Sequence, residues 1–97
     1  MALHLFSWDA GKNTSNRQIH GVSFESAQLV FADPLHLTRQ DRIEGGEQRW
    51  QTIVLVCDVT LLLVAHTWTQ EGGTVHIRII SARRATKIER QIYEQGS

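Results

Sequence analysis

The chain has 97 residues, of which 41% are hydrophobic and 21% charged, and its formal net charge is zero. That composition excludes a disordered chain and argues against a bulk polyanion binder, and the length suits one domain with one modest core. A single cysteine, Cys57, excludes an intrachain disulfide and a CxxC zinc pair, which points to a reducing compartment.

Residues 3–8, LHLFSW, alternate and read as a first strand whose two faces are both fairly apolar. Asp9 is placed as the N-cap of a short helix, AGKNTSNRQIH, built from mediocre helix formers and stopped by Gly21 at the C′ position. Ser23 caps a second helix, FESAQLVFA, with Phe24, Ala27 and Phe31 facing a core, and Asp33-Pro34 ends it. The period then changes. HLTRQDR alternates weakly, Gly45-Gly46 marks a turn, RWQTIVLVCD reads as a strand, and Cys57-Asp58 is the expected turn before TLLLVAHTWT. Glu71-Gly72-Gly73 supplies a hairpin loop before TVHIRIIS, where Val75, Ile77 and Ile79 alternate with His76 and Arg78. Thr86 and Glu89 have capping-box spacing, and Ile88 and Ile92 recur at i, i+4, so a last helix docks one face on the sheet. The expected fold is α+β: an N-terminal strand and two helices, an antiparallel four-strand meander, and a C-terminal helix packed on the sheet, all in one domain over residues 1–97.

The opening MALHLFSWDAGK has neither the basic start nor the apolar stretch of a signal peptide. The run Leu61–Ala65 falls far short of the roughly 20 residues that cross a bilayer. A soluble, cytoplasmic protein without a membrane partner is expected.

Charge is unevenly spread. Residues 76–97 carry a balance of +3 and the first 75 residues −3. A basic end on a neutral protein can hold a polyanion at one place, although five cations near a C-terminus can equally be a solvated helix face. Arg83 and Arg84 fall between the expected end of the last strand and the Thr86 cap. Two guanidinium forks beside a helix N-terminus suit phosphate, and cations there oppose the helix dipole, so a ligand would explain them. The competing reading is an ion pair between one arginine and a carboxylate.

Arg78 shares a strand face with His76, and Glu47 and Arg49 open the strand after Gly45-Gly46. His66 ends an apolar strand, where a histidine is commonly a core residue with one hydrogen bond. Its surroundings depend on hairpin register. A two-residue loop at Gly72-Gly73 pairs His66 with Ile79 and leaves it facing the apolar side. A three-residue loop pairs it with Arg78 and brings it to the basic cluster. The histidines at 4, 20, 36, 66 and 76 have no metal-ligand spacing, Cys57 has no nucleophile signature, and no Gly-rich phosphate loop is present, so neither metal nor cofactor is expected. RNA would need little equipment, because its own 2′-hydroxyl is the nucleophile. The protein supplies a proton acceptor, a proton donor and cations for the phosphorane.

The stretch FSWDAGKNTSNRQIHGVSFESAQLVFADPL resembles the N-terminal half of the BrnT family of type II toxin–antitoxin systems, with its WD-x-x-K-N-x-x-N, HGVSFEEA and F-x-DP pattern. GEQRW at 46–50 is similar to the family's GE-x-R-[FW], and RIISARRATKIERQIYE to its closing motif. The resemblance covers nearly the whole chain in order. It implies a RelE/ParE-like fold, a metal-independent endoribonuclease that inhibits translation, a BrnA-like antitoxin that silences it, and operator DNA bound through the complex. It also implies the site residues: Arg49, His66, Arg78, Arg83 and Glu47 for catalysis, and Lys12, His20 and Arg84 for substrate binding; Lys87, in the same basic stretch, is expected to add to substrate binding. Trp8, Asp9 and Asn13 are expected to be structural. A competing expectation, from another class, is a catalytically weak toxin-like module that acts only by docking an antitoxin or a DNA-bound complex.

Overall fold

Caps rather than propensity define the first helix. In the computed structural model, which describes residues 3–32, 37–56 and 60–96, α1 runs Ala10–His20. Asp9 stays extended and accepts the Lys12 N–H at 2.9 Å, while Gly21 turns left-handed at φ 72° and donates its N–H to Arg17 O at 2.9 Å. Ser23 opens α2, Phe24–Ala27, by accepting the Ser26 N–H at 3.1 Å. The helix expected through residue 32 instead tightens to a 3-10 segment, Gln28–Ala32. Its tail sets the Phe31 ring 5.5 Å from Phe6 and edge-on to His66 at 4.8 Å.

Six strands form one sheet: β1 (Leu3–Ser7), β2 (Leu37–Glu44), β3 (Glu47–Val56), β4 (Thr60–His66), β5 (Thr69–Glu71) and β6 (Thr74–Arg84), ordered β1-β6-β4-β3-β2 with β5 also on β6. Gly45 and Gly46, at φ 60° and 76°, make the β2–β3 turn with the two left-handed residues that suit a tight hairpin. The expected strand TLLLVAHTWT is interrupted at Thr67-Trp68 into β4 and β5, and the Thr67 N–H keeps the pair in line by donating to Arg78 O at 3.0 Å. Glu71 pairs with Thr74 across Gly72-Gly73, a two-residue loop. Of the two open registers, the structure has the one that pairs His66 with Ile79. The Asp33-Pro34 stop, His36 and the Cys57-Asp58 turn lie outside the described residues.

β1 runs parallel to β6 but only as far as the Ser7–Arg78 pair. The remaining edge of β6 is taken by a side chain. Asn16, 6% exposed on α1, donates its amide to Ala82 O at 2.6 Å and accepts the Ala82 N–H at 3.2 Å. A third bond, to Val22 O at 2.9 Å, ties the same amide to the turn before α2.

The helices α1 and α2 cover one sheet face, where Val22, Phe24 and Ala27 pack on Leu62, Val64, Ile79 and Ala82, flanked by Phe6, Trp8 and Phe31. Burying Phe24 completely contributes about 2–3 kcal/mol. The last helix, α3 (Lys87–Gly96), has the expected capping box: Thr86 N–H donates to Glu89 Oε1 at 2.8 Å, and Glu89 N–H to Thr86 Oγ1 at 3.2 Å. Over the opposite sheet face Ile92 and Tyr93 border a cavity of about 200 Å³ with Leu37, Ile53 and Leu63, but Ile88 is 69% and Ile92 47% exposed, so the face expected to dock on the sheet is largely open. Among the described residues, no helix is long and apolar enough to cross a membrane.

Candidate active site

Side-chain alternation assigns residues to the two faces, and one irregularity in β6 changes that assignment. Up to Ile79, odd-numbered residues of β6 are buried under the helices and His76 and Arg78 are exposed on the other side. The pairing with β4 then slips: Ala65 meets Ser81, whereas the next residue, His66, meets Ile79. This bulge shifts the alternation by one, so Ala82 enters the helix-covered core. Ser81 and Arg83 turn to the opposite face and Arg84 turns away from it.

On that opposite face lies a basin of about 350 Å³. Its rim carries Lys12, Arg42, Arg49 and Arg83 with Asp41 and Glu44, over a floor of Gln51, Leu63, Ala65, Ile80 and Ser81. The cations are not equivalent. Arg42 is paired with Glu44 at 3.1 Å and Asp41 at 3.9 Å. Arg83 holds Glu89 with both forks, Nη1 to Oε1 at 2.7 Å and Nη2 to Oε2 at 2.9 Å. Neither Lys12 nor Arg49 has a carboxylate within 4 Å among the described residues. The Arg49 Nε is buried without a hydrogen-bond partner there. Lys12 arrives from α1, one turn before Asn16, while Arg49 comes from β3.

Two residues along β3 from Arg49, and on the same face, Glu47 accepts a 2.6 Å bond from Arg78 Nη2. Both side chains are at least a third exposed, so the pair adds less than about 1 kcal/mol to stability.

Several expectations change. Arg83 and Arg84 do not sit at a turn, because β6 continues through Arg84. The anion at the α3 N-terminus is the Glu89 carboxylate, which Arg83 and the Thr86 amide hold down to a pKa of about 2, the Arg83 hydrogen bonds being the larger cause. The same bonds raise the Arg83 pKa. The ion-pair reading of this arginine therefore describes the structure. His66 is fully buried on the helix-covered face. Its Nδ1 lies 2.9 Å from Thr67 O, a carbonyl that only accepts, so the ring donates there. In the neutral ring Nε2 then accepts from Thr52 Oγ1 at 2.7 Å, and Thr52 in turn lies 2.8 Å from Thr38 Oγ1. Of the two placements left open, His66 takes the apolar one: the ring belongs to the core and does not line the basin. His20, Arg84 and Lys87 are exposed and do not line the basin.

Of the residues expected at the site, the basin thus brings together Lys12, Arg49 and Arg83, with the Glu47–Arg78 pair on the same face. Arg42, Asp41, Gln51 and Ser81 were missed. A weakly alternating strand gave no sign of Arg42, whose position follows a pairing shift between Gln40 and Ile43. The WD-x-x-K-N-x-x-N motif divides cleanly. Asp9 caps α1, Asn13 holds the Phe24 N–H at 2.9 Å and Glu25 at 2.7 Å, and Asn16 clasps β6, while Lys12 alone reaches the basin. The Asn13 bond is the main reason the Glu25 carboxyl lies below its usual range. Among the described residues no group of three or more potential metal ligands is found.

Residues 8–89 match the family of ribonuclease toxins, BrnT, of type II toxin–antitoxin systems. No curated protein matches the sequence closely enough to report. The crystal structure of the Brucella abortus ribonuclease toxin BrnT has a similar fold, with a TM-score of 0.60 and 22% identity over 89% of this chain and 100% of that one. The capped α1, the mixed six-stranded sheet and a family match spanning most of the sequence give one conclusion: this chain belongs to the BrnT family of type II toxin–antitoxin ribonuclease toxins.

Proposed function

We propose that the chain is a RelE/ParE-like, metal-independent endoribonuclease toxin whose active site is the basin on the helix-free part of the sheet. Arg49 carries this reading. Its guanidinium lines a concave surface, has no carboxylate partner among the described residues, and keeps a buried Nε without a hydrogen bond. A buried donor left unmade costs about 1–3 kcal/mol, so stability alone does not explain an arginine at this place.

In this mechanism the RNA 2′-hydroxyl attacks the adjacent phosphate, forming a 2′,3′-cyclic phosphate and breaking the bond to the 5′-oxygen. Glu47 accepts the 2′-hydroxyl proton while Arg78 orients its carboxylate. Arg49 holds the nonbridging oxygens as charge builds on the phosphorane, Arg83 adds its field from the rim while its Nη atoms stay on Glu89, and Lys12 protonates the leaving oxygen. Glu47 lies roughly 7 Å from Arg49 along the strand, a distance that one nucleotide can span. The cellular reading is that cleavage inhibits translation in the cytoplasm. A BrnA-like antitoxin silences the enzyme, and the pair binds operator DNA. Family membership supports an antitoxin partner and an RNA target.

The test is cleavage of a defined RNA by the purified chain in EDTA, repeated with the neighbour-encoded antitoxin. Cleavage in EDTA that is lost on adding the antitoxin supports the proposal. A folded chain that cleaves only with divalent metal contradicts the mechanism. One that binds the antitoxin but never cleaves supports the docking-module alternative.

A further inference from the structure

The Asn16 clasp sits where a small error would be magnified. Its amide takes the N–H and C=O of one residue, Ala82, much as a neighbouring strand would. Ala82 follows directly on the bulge at which the pairing of β6 slips. On either side of it stand Ser81 and Arg83, both on the basin, and one helical turn before Asn16 stands Lys12, also on the basin. β1 has stopped pairing with β6 four residues earlier, at Arg78. A bulge lets a strand choose between two alternations, and the choice here decides whether Arg83 or Arg84 faces the basin.

We infer that Asn16 is a positioning residue of the ribonuclease site: it locks the shifted alternation of β6 so that Arg83 faces the basin, and holds Lys12 at a fixed distance from it. This inference rests on the basin being the active site. Asn16 is 6% exposed and all its polar atoms are bonded to backbone, so it acts through Arg83 and Lys12 rather than on RNA. A merely structural asparagine would lower the folded fraction and leave the remaining molecules equally dependent on Arg83. A positioning asparagine makes the two substitutions non-additive.

The test is a double-mutant cycle on RNA cleavage, normalised to folded protein. Arg83→Ala is expected to lower kcat/KM about tenfold in the native chain and less than about twofold in Asn16→Ala, which is itself lowered about tenfold. Asn16→Ser, which keeps a small polar group in the pocket, gives the same reading should Asn16→Ala lose its cooperative melt. A Lys12→Ala cycle is expected to behave like that of Arg83. Additive losses in the variant that folds, with native RNA cleavage intact, overturn the positioning role and leave the ribonuclease reading standing. Failure of the native chain to cleave RNA overturns the ribonuclease reading, and the inference falls with it.

Discussion

The two faces of the sheet are made by alternate residues of the same strands, yet they have been put to opposite uses. Under α1 and α2, Val64, Ile77, Ile79 and Ala82 are at most 1% exposed, and even the polar groups, Thr52 and His66, are bonded to one another. On the other face the sheet is only partly covered, by α3 at one end, and the remainder holds the cationic basin. The difference teaches where to look for function in this fold. Buried polar groups on the covered face are satisfied and therefore specify the core, whereas the basin has cations whose partners, among the described residues, are missing or shared.

The contrast can be broken by substitutions on each side. The largest effect is expected at His66. His66→Ala removes a buried ring, takes one of the two partners of Thr52 Oγ1 and strands Thr67 O, at a cost of about 3 kcal/mol in urea unfolding. Cleavage per folded molecule should stay within about twofold of native, since the ring faces away from the basin. A variant that is stable but inactive would return His66 to the mechanism.

Lys12→Ala should lower RNA cleavage about tenfold with little change in melting temperature. RNA affinity should also fall with added salt less steeply than for the native chain, because one phosphate contact is gone.

Glu89 sharpens the boundary between helix and basin. Its folded-state pKa, about 2, lies below its ordinary value of 4.5. It therefore contributes stability that is present above pH 4.5 and is lost as pH falls towards 2. Solvent at the rim screens the pair, so Glu89→Gln should cost only about 1 kcal/mol at pH 7. Chemical denaturation of both proteins at pH 7 and at pH 2.5 checks this: the gap should shrink in acid, and a gap that widens would contradict the ion pair. The smallest effects are expected at His20 and Lys87, which do not line the basin; alanine at either should change cleavage less than about twofold.

Much of the architecture was legible in sequence because local rules act there. Asp9 and Gly21 bound α1 at the residues their chemistry names, and Thr86 with Glu89 forms the box its spacing implies. The two-glycine turn at Gly45-Gly46 is likewise a local matter. What sequence could not give is long-range. The bulge opposite Ala65–His66 is set by how β6 pairs with β4, not by any residue's propensity, and it decides that Arg83 rather than Arg84 faces the basin. The Asn16 bond to Ala82 spans 66 residues, so no local pattern records it. The acid that meets Arg83 was visible as a capping residue, but its second role needed the strand to continue three residues past its expected end at Ser81.

The most direct measurement compares Arg49→Ala with Arg84→Ala, each purified, folded and assayed in EDTA on the same RNA. One arginine lines the basin and the other faces away from it. Arg49→Ala is expected to lose cleavage by about a hundredfold, the order found when a preorganised charge-stabilising donor is removed, and Arg84→Ala to keep it within about twofold. Full cleavage by Arg49→Ala, or an equal loss in both, would contradict the placement of the active site on the open face of the sheet.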